Sequence, residues 1–204
     1  NGGTEMAGAL DAALVGSDNP NVIRQVVFMT DGSVGNEEEL FGIIRKKLGD
    51  SRLFTIGIGS APNSYFMTKA AEFGHGTFTY IGKVEEVNDK MSGLFRKLEN
   101  PVLTDISVTL PGAIQGEMWP KQLPDLYAGE PVMLSAALND VGSDMTITGS
   151  NGAAKWQTKL SLAANKTESG VGVLWARKKI GALMDAAHNN PEEAKKAIIT
   201  TALD

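Results

Sequence analysis

The sequence has no cysteine and only two histidines among its 204 residues. The absence of cysteine excludes disulfide bonds and thiol chemistry. No apolar run approaches the roughly 18 residues that a membrane-spanning helix needs, so we expect no direct insertion into a membrane. The net charge is −5 and no basic stripe is visible, which argues against nucleic acid as a partner. The chain starts at Asn1 rather than at methionine, which predicts further sequence upstream.

The rest of the composition, 42% hydrophobic and 21% charged, is typical of a globular protein of one or two domains. The central feature is an apolar run, 26–29, that ends at Thr30, Asp31 and Gly32. In an open α/β sheet, ligands bind at the carboxyl ends of the strands, where we expect Asp31. Gly32 allows a sharp turn, and Asn36 opens an acidic first turn of a helix.

Residues 1–99 alternate between helical and strand patterns, which predicts parallel βαβ units. The predicted helices are 5–14, 37–48, 64–73 and 84–98, and the predicted strands are 22–29, 52–59 and 76–81. Helical spacing predicts that apolar stripes face the core. The stripe residues are Met6, Leu10, Ala13 and Leu14 in the first helix; Leu40, Ile43, Ile44 and Leu48 in the second; and Val84, Val87, Met91, Leu94, Phe95 and Leu98 in the last.

The pattern changes at residue 100, where apolar and polar residues begin to alternate. This alternation predicts four antiparallel strands with one buried face. The predicted strands are 104–110, 132–138, 145–147 and 156–162, and the proline-rich stretch 111–131 is interpreted as a loop. Helices are predicted over 172–187 and from Pro191 onward. The predicted organisation is therefore an α/β domain at 1–99, a β-rich segment at 100–165 and a helical segment at 166–204.

Two motifs in a fixed order resemble the von Willebrand factor type A domain: Gly-Gly-Thr at residues 2–4 and Thr-Asp-Gly at residues 30–32. The resemblance implies part of a doubly wound, Rossmann-like sheet and a metal-ion-dependent adhesion site. It implies that Thr4 gives a hydroxyl oxygen and Asp31 a carboxylate to the ion, directly or through water, with Ser33 as a weaker candidate. Oxygen ligands suit Mg²⁺, with Mn²⁺ or Ca²⁺ as alternatives. An acidic residue of a protein partner would complete the coordination.

Further stretches narrow the resemblance. Residues 30–37, 53–59 and 76–82 look like the branch found in inter-alpha-trypsin inhibitor heavy chains. Bacterial surface proteins of that branch, which carry VIT and type A domains and include sortase targets, are similar too. The resemblance implies a non-enzymatic binding module on a protein that is extracellular, on the cell surface or periplasmic.

One family motif is missing. The first ligand motif, Asp-x-Ser-x-Ser, belongs by family topology to a strand upstream of Thr4. The stretch 105–109 imitates it, but its polar residues alternate with core residues and are interpreted as a solvated strand face. Without the upstream strand, 22–29 would be an exposed apolar edge. We therefore expect a preceding segment or a second chain to complete the sheet.

Alternative interpretations remain open. Taken singly, Thr4 and Asp31 are an ordinary helix cap and turn residue. The glycines of 57–60 are those of a plain turn, because the other residues of a phosphate loop are absent. One alternative function is a structural scaffold with a silent metal site. A remote one is a haloacid-dehalogenase-like phosphatase, but Met29 stands where the nucleophilic aspartate would be.

Overall fold

The computed structural model describes residues 6–16, 22–33, 35–99, 101–112, 114–152, 154–162, 170–187 and 190–203, with 101 and 102 as backbone only. The chain divides into two compact units, Asn1–Val102 and Leu103–Asp204. Each unit is described by itself. None of the helices in the described ranges is long and apolar enough to cross a membrane.

The first unit is a parallel three-stranded sheet with helices between its strands. Its elements are α1 (Met6–Leu14), β1 (Gln25–Thr30), α2 (Glu37–Lys47), β2 (Arg52–Ile58), α3 (Ser64–Phe73), β3 (His75–Ile81), a 3₁₀ turn (Val84–Glu86) and α4 (Val87–Glu99). The strands pair in the order β1-β2-β3, and both pairings are parallel. The predicted α/β class and its βαβ units are confirmed.

The core of this unit lies between the sheet and helices α1, α2 and α3. The ring of Phe66, fully buried in α3, lies 5.2 Å from the ring of Phe41 and 6.4 Å from that of Phe28, measured between centroids. The core cluster contains Met6, Leu10, Leu14, Leu40, Phe41, Ile44, Leu53, Phe66, Met67 and Ala70. The predicted stripes of α1 and α2 supply much of it, but Ala13 is exposed and Phe41 was not predicted.

Two glycines allow β3 to run close beside β2. A Cβ on Gly74 would lie 2.2 Å from Leu53 Cβ, and a Cβ on Gly76 would lie 2.2 Å from the carbonyl oxygen of Leu53. Between them His75 has a φ of 52°, in the left-handed region that residues other than glycine rarely adopt. The main-chain N–H of Leu53 donates to the Gly74 carbonyl at 2.9 Å. Only residues without a side chain fit this close approach.

Arg24 ties the end of α1 to the start of β1. Its guanidinium donates hydrogen bonds to three main-chain carbonyl oxygens at the end of the helix, those of Ala13, Leu14 and Val15. Its own carbonyl accepts from the Arg52 N–H at 2.7 Å. The predicted start of the strand at Val22 is therefore wrong. Val22 and Ile23 lie exposed in the connection, and β1 begins at Gln25.

The predicted apolar stripe of the last helix is also wrong in part. Only Leu94 of its six residues is buried, and Val84 and Phe95 are 83% and 53% exposed. The stripe was drawn through one continuous helix, whereas the chain makes a 3₁₀ turn before α4 begins at Val87. Since 3₁₀ and α-helices differ in residues per turn, the change moves Val84 off the face that Leu94 buries.

β1 lies at one edge of the described sheet, as the sequence predicts. Val26 and Phe28 are partly buried against the core, whereas Val27 and Met29 are 42% and 50% exposed. Because side chains alternate along a strand, Gln25 shares the face of Val27, and its Nε2 donates to the Leu98 carbonyl of α4 at 2.9 Å. One face of this apolar strand therefore packs against the core, and the other contacts α4 at Gln25 but leaves Val27 and Met29 exposed.

The described residues of the second unit form two small sheets of antiparallel strands and two helices. Its elements are β4 (Pro101–Thr109), β5 (Gly116–Trp119), β6 (Leu126–Tyr127), β7 (Ser135–Leu138), β8 (Asp144–Asn151), β9 (Ala154–Ser161), α5 (Val171–Ala186) and α6 (Pro191–Leu203). One sheet has the order β6-β4-β8-β9, and the other pairs β5 with β7. The predicted loop over 111–131 is wrong, because β5 and β6 lie within it. The predicted single set of four strands is divided between two sheets.

The predicted buried face does not extend to β9. Every residue of this strand is exposed, including Trp156 at 41% and Leu160 at 51%. β9 is the last strand in its sheet, and the other described elements leave the side chains on both of its faces exposed. Alternation showed correctly which residues share a face, but it could not show whether that face is covered.

Helix α5 packs against the small sheet of β5 and β7. Trp175 Nε1 donates to the Glu117 carbonyl at 2.9 Å, and Lys179 Nζ lies 2.9 Å from Glu117 Oε2 and 4.9 Å from the centre of the Trp175 ring. Burial of Glu117 opposes its charged form, but the hydrogen bond and charge of Lys179 outweigh it and lower the pKa of Glu117 below its usual value. The β-rich segment thus packs against a C-terminal helix.

Candidate metal-binding site

The candidate site is built on the turn that follows β1. The carboxyl end of this strand is fixed by Thr30, which is buried and whose Oγ1 accepts the Gly32 N–H at 3.1 Å. Asp31 and Ser33 follow on the same turn, and both are exposed. The predicted position of Asp31, at a strand's carboxyl end and out of the core, is confirmed. Thr4 lies outside the described residues, so its role as a ligand stays a prediction.

The other two strands end at the same edge of the sheet. Thr30 of β1 pairs with Gly57 of β2. The Gly59 N–H donates to the Ile81 carbonyl at 2.9 Å, and the Tyr80 hydroxyl donates to the Gly59 carbonyl at 2.7 Å. These bonds fix the turn after β2 beside the end of β3. Asp31 therefore lies at the edge formed by the carboxyl ends of the three strands, where open α/β sheets bind their ligands.

The first turn of α2 follows the Asp31 loop and is acidic, as predicted, with Glu37, Glu38 and Glu39 in succession. Asn36 stands at the N-cap position, but it does not cap the helix with its side chain. The side chain of Asn36 makes no capping hydrogen bond to the main chain, and its Nδ2 donates to Glu39 Oε2 at 2.7 Å instead. Asn36 therefore stabilises the turn by contacting the side chain of Glu39, and it does not bind the free main-chain N–H groups at the start of the helix.

Asn63 was missed in the sequence, although asparagine directly before a helix is a common capping signal. Its Oδ1 accepts the Phe66 N–H at 3.0 Å, which caps α3, and its Nδ2 donates to Glu37 Oε1. Glu37 is the first residue of α2, directly after the loop that carries Asp31 and Ser33. Asn63 thus connects the start of α2, which follows that loop, to α3.

The described residues supply only part of a metal site. They contain no group of three or more aspartate, glutamate or histidine side chains placed to hold a metal ion. The turn after β1 offers one exposed carboxylate, that of Asp31, and one exposed hydroxyl, that of Ser33. Mg²⁺ uses one or two protein carboxylates and keeps several waters, so this set fits as one side of a site that needs further oxygen ligands.

Comparison with known proteins agrees with this geometry. Residues 1–80 match the family model of the von Willebrand factor type A domain. Residues 1–80 therefore carry the sequence features of a type A domain. The matched residues include both Thr4 and Asp31 and end at Tyr80 of β3.

Proteins similar to this chain include a von Willebrand factor A domain-containing protein of Dictyostelium discoideum, 27% identical over 150 residues, which are 72% of this chain and 16% of that protein. Inter-alpha-trypsin inhibitor heavy chain H3 of Mesocricetus auratus is 26% identical over 125 residues, which are 59% of this chain and 14% of that protein. The chain thus spans about a sixth of the length of these curated relatives.

A solved structure shares the fold. The von Willebrand factor type A protein from Catenulispora acidiphila superposes with a TM-score of 0.54 at 14% identity, over 90% of this chain and 54% of that one. At this level of identity the similarity concerns the fold alone. The predicted class, a partial type A sheet followed by antiparallel strands and helices, is confirmed.

Proposed function

We propose that this chain is a non-enzymatic protein-interaction module that binds an acidic side chain of a partner protein through a divalent cation. The observation that carries the proposal is the position of Asp31, exposed at the carboxyl end of β1 within a type A domain. An extracellular, cell-surface or periplasmic setting, which the family resemblance implies, is part of this proposal. We further propose that the chain belongs to a bacterial surface protein that carries VIT and type A domains.

Asp31 and Thr4 are the residues that would hold the ion, with Ser33 in contact through water. A carboxylate and hydroxyls are hard oxygen ligands, which suit Mg²⁺ and also accept Mn²⁺ or Ca²⁺. The ion would supply the positive charge that attracts a partner's carboxylate. A segment upstream of Asn1, or a second chain, would provide the remaining ligands and the strand beside β1.

Two other functions are kept as outcomes of the test. A scaffold with a silent metal site is favoured if no version of the chain binds a cation at Asp31. A haloacid-dehalogenase-like phosphatase has one sequence argument against it, since Met29 cannot form the acyl-phosphate that such an enzyme requires.

The decisive experiment is calorimetric titration of Mg²⁺ into this chain and into the protein extended upstream. We expect weak binding by this chain and much tighter binding by the extended one, because Mg²⁺ gives up its waters reluctantly. Asp31→Asn and Thr4→Ala should each remove the gain. Asp50→Asn is the matched control, since Asp50 is also exposed but lies in the turn after α2. Equally tight binding by both chains, or an unchanged affinity of Asp31→Asn, would contradict the proposal.

A further inference from the structure

β9 is an edge strand of eight residues with one side left open in the described part of the chain. It forms the end of the order β6-β4-β8-β9 and pairs there with β8 alone. All eight of its residues are exposed. Its outer N–H and C=O groups are therefore a template on which another extended segment can pair.

The register with β8 shows what each face of β9 presents. Trp156 and Leu160 lie opposite Gly149 and Met145, and they form an exposed apolar face. Lys155, Gln157 and Lys159 lie on the other face, opposite Ser150, Thr148 and Thr146. One face of this edge is therefore apolar and the other is basic.

The basic face has more positive than negative charge on these two strands. Lys155 Nζ contacts Ser150 Oγ at 3.2 Å, and Lys159 lies opposite the neutral Thr146. The acidic residue that shares this face is Asp144, at the end of β8 opposite Ser161. The face therefore carries two ammonium groups and one carboxylate on these two strands.

This charge argues against a second copy of the chain as the occupant. Antiparallel pairing of two β9 strands brings four lysines onto one face, directly opposite or diagonal to one another, and like charges across strands are destabilising. Lysines on edge strands commonly prevent such self-pairing. A segment with carboxylates at alternate positions turns the same two lysines into favourable cross-strand pairs.

We propose that β9 binds, as an added strand, an extended segment of a partner protein in which acidic and apolar residues alternate. Main-chain hydrogen bonds to the open edge provide the affinity in this mode, and the alternate side chains provide the selectivity. The acidic residues would face Lys155 and Lys159, and the apolar ones would lie beside Trp156 and Leu160. This binding needs no metal ion and involves no residue of the Asp31 site.

The test uses the whole 204-residue chain and a nine-residue peptide of alternating glutamate and valine, with EDTA present to remove any cation-dependent binding. We expect amide chemical-shift changes centred on residues 154–161. A peptide with lysine in place of glutamate, and one with all glutamates before all valines, should not bind. Equal binding of either control peptide, or shift changes centred elsewhere, would overturn the proposal.

Two further measurements test the mode of binding. The double variant Lys155→Glu and Lys159→Glu should bind the glutamate peptide about tenfold more weakly at low salt. The control double variant Lys195→Glu and Lys196→Glu in α6 should bind it with unchanged affinity. Peptides N-methylated on alternate amides should differ, because only one of the two sets of N–H groups faces β9. If both methylated peptides bind alike, strand addition is wrong. If no peptide binds, the proposal is wrong, and the lysines only prevent pairing between copies of the chain.

Discussion

The carboxamide of Asn63 joins the starts of two helices, because it caps α3 with its oxygen and donates to Glu37 of α2 with its nitrogen. Asn36 stands at the equivalent place before α2 but makes no capping hydrogen bond to the main chain. The two asparagines therefore look alike in sequence and differ in what they contribute.

Replacing these asparagines should separate the two roles. Asn63→Ala should lower the free energy of unfolding by about 1 kcal/mol, because the cap of α3 is lost, whereas Asn36→Ala should change it much less. Asn63→Asp keeps the capping oxygen but puts a second negative charge beside Glu37. This variant should therefore lose only the stability that comes from the hydrogen bond to Glu37 of α2. Urea denaturation of the three variants measures this. Equal losses for Asn36→Ala and Asn63→Ala would contradict it.

Glycine substitutions should have opposite signs at two positions. Gly76→Ala should destabilise the first unit by about 1–3 kcal/mol, because its Cβ would lie 2.2 Å from the Leu53 carbonyl oxygen. Gly42→Ala, in the middle of α2 with nothing within 4 Å of the new Cβ, should stabilise it by about 0.5–1 kcal/mol. Thermal unfolding of both variants checks the signs, and a neutral Gly76→Ala would refute the close approach of β3 to β2.

The contact between Glu117 and Lys179 should make stability depend on pH in the acid range. The pKa of Glu117 is lowered in the folded state, so its contribution is present above the usual value of 4.5 and is lost as pH falls through the lower folded value. The contribution should be below about 1 kcal/mol, because the side chain is partly exposed. The difference in unfolding free energy between the native protein and Glu117→Gln should shrink from pH 7 to pH 3, and 1 M salt should reduce it. A constant difference would count against the contact.

The open edge of β1 should make the isolated chain self-associate, because unpaired strand groups beside exposed Val27 and Met29 favour pairing between copies. Light scattering should show growth of assemblies with concentration, and Val27→Lys should suppress it. Val141→Lys is the control, since Val141 is exposed to 44%, close to the 42% of Val27, but lies in a loop. A monomer with strong hydrogen-exchange protection along β1 would show that the strand is covered.

Local signals in the sequence predicted the parts of the fold that local interactions determine. The predicted helix over 64–73 has the observed bounds of α3, and the run ending at Asp31 predicted the edge at which the candidate site lies. Coverage by other elements could not be read locally. Trp156 and Phe95 have the patterns of buried residues, yet both are exposed because no neighbouring element of the described chain encloses them. The strand Gly116–Trp119 was missed because its support comes from pairing with Ser135–Leu138, far along the chain.

The hydrogen bonds from Arg24 to the end of α1 have a consequence for the entropy of the chain. Its side chain brings the last turn of the helix to the start of β1, so this junction is held at its two ends. Closing a flexible loop becomes harder only with the logarithm of its length, at about 0.6 kcal/mol for each doubling. The connection after Val15 is therefore a place where insertions, such as an epitope or a reporter peptide, should be accepted with little loss of stability.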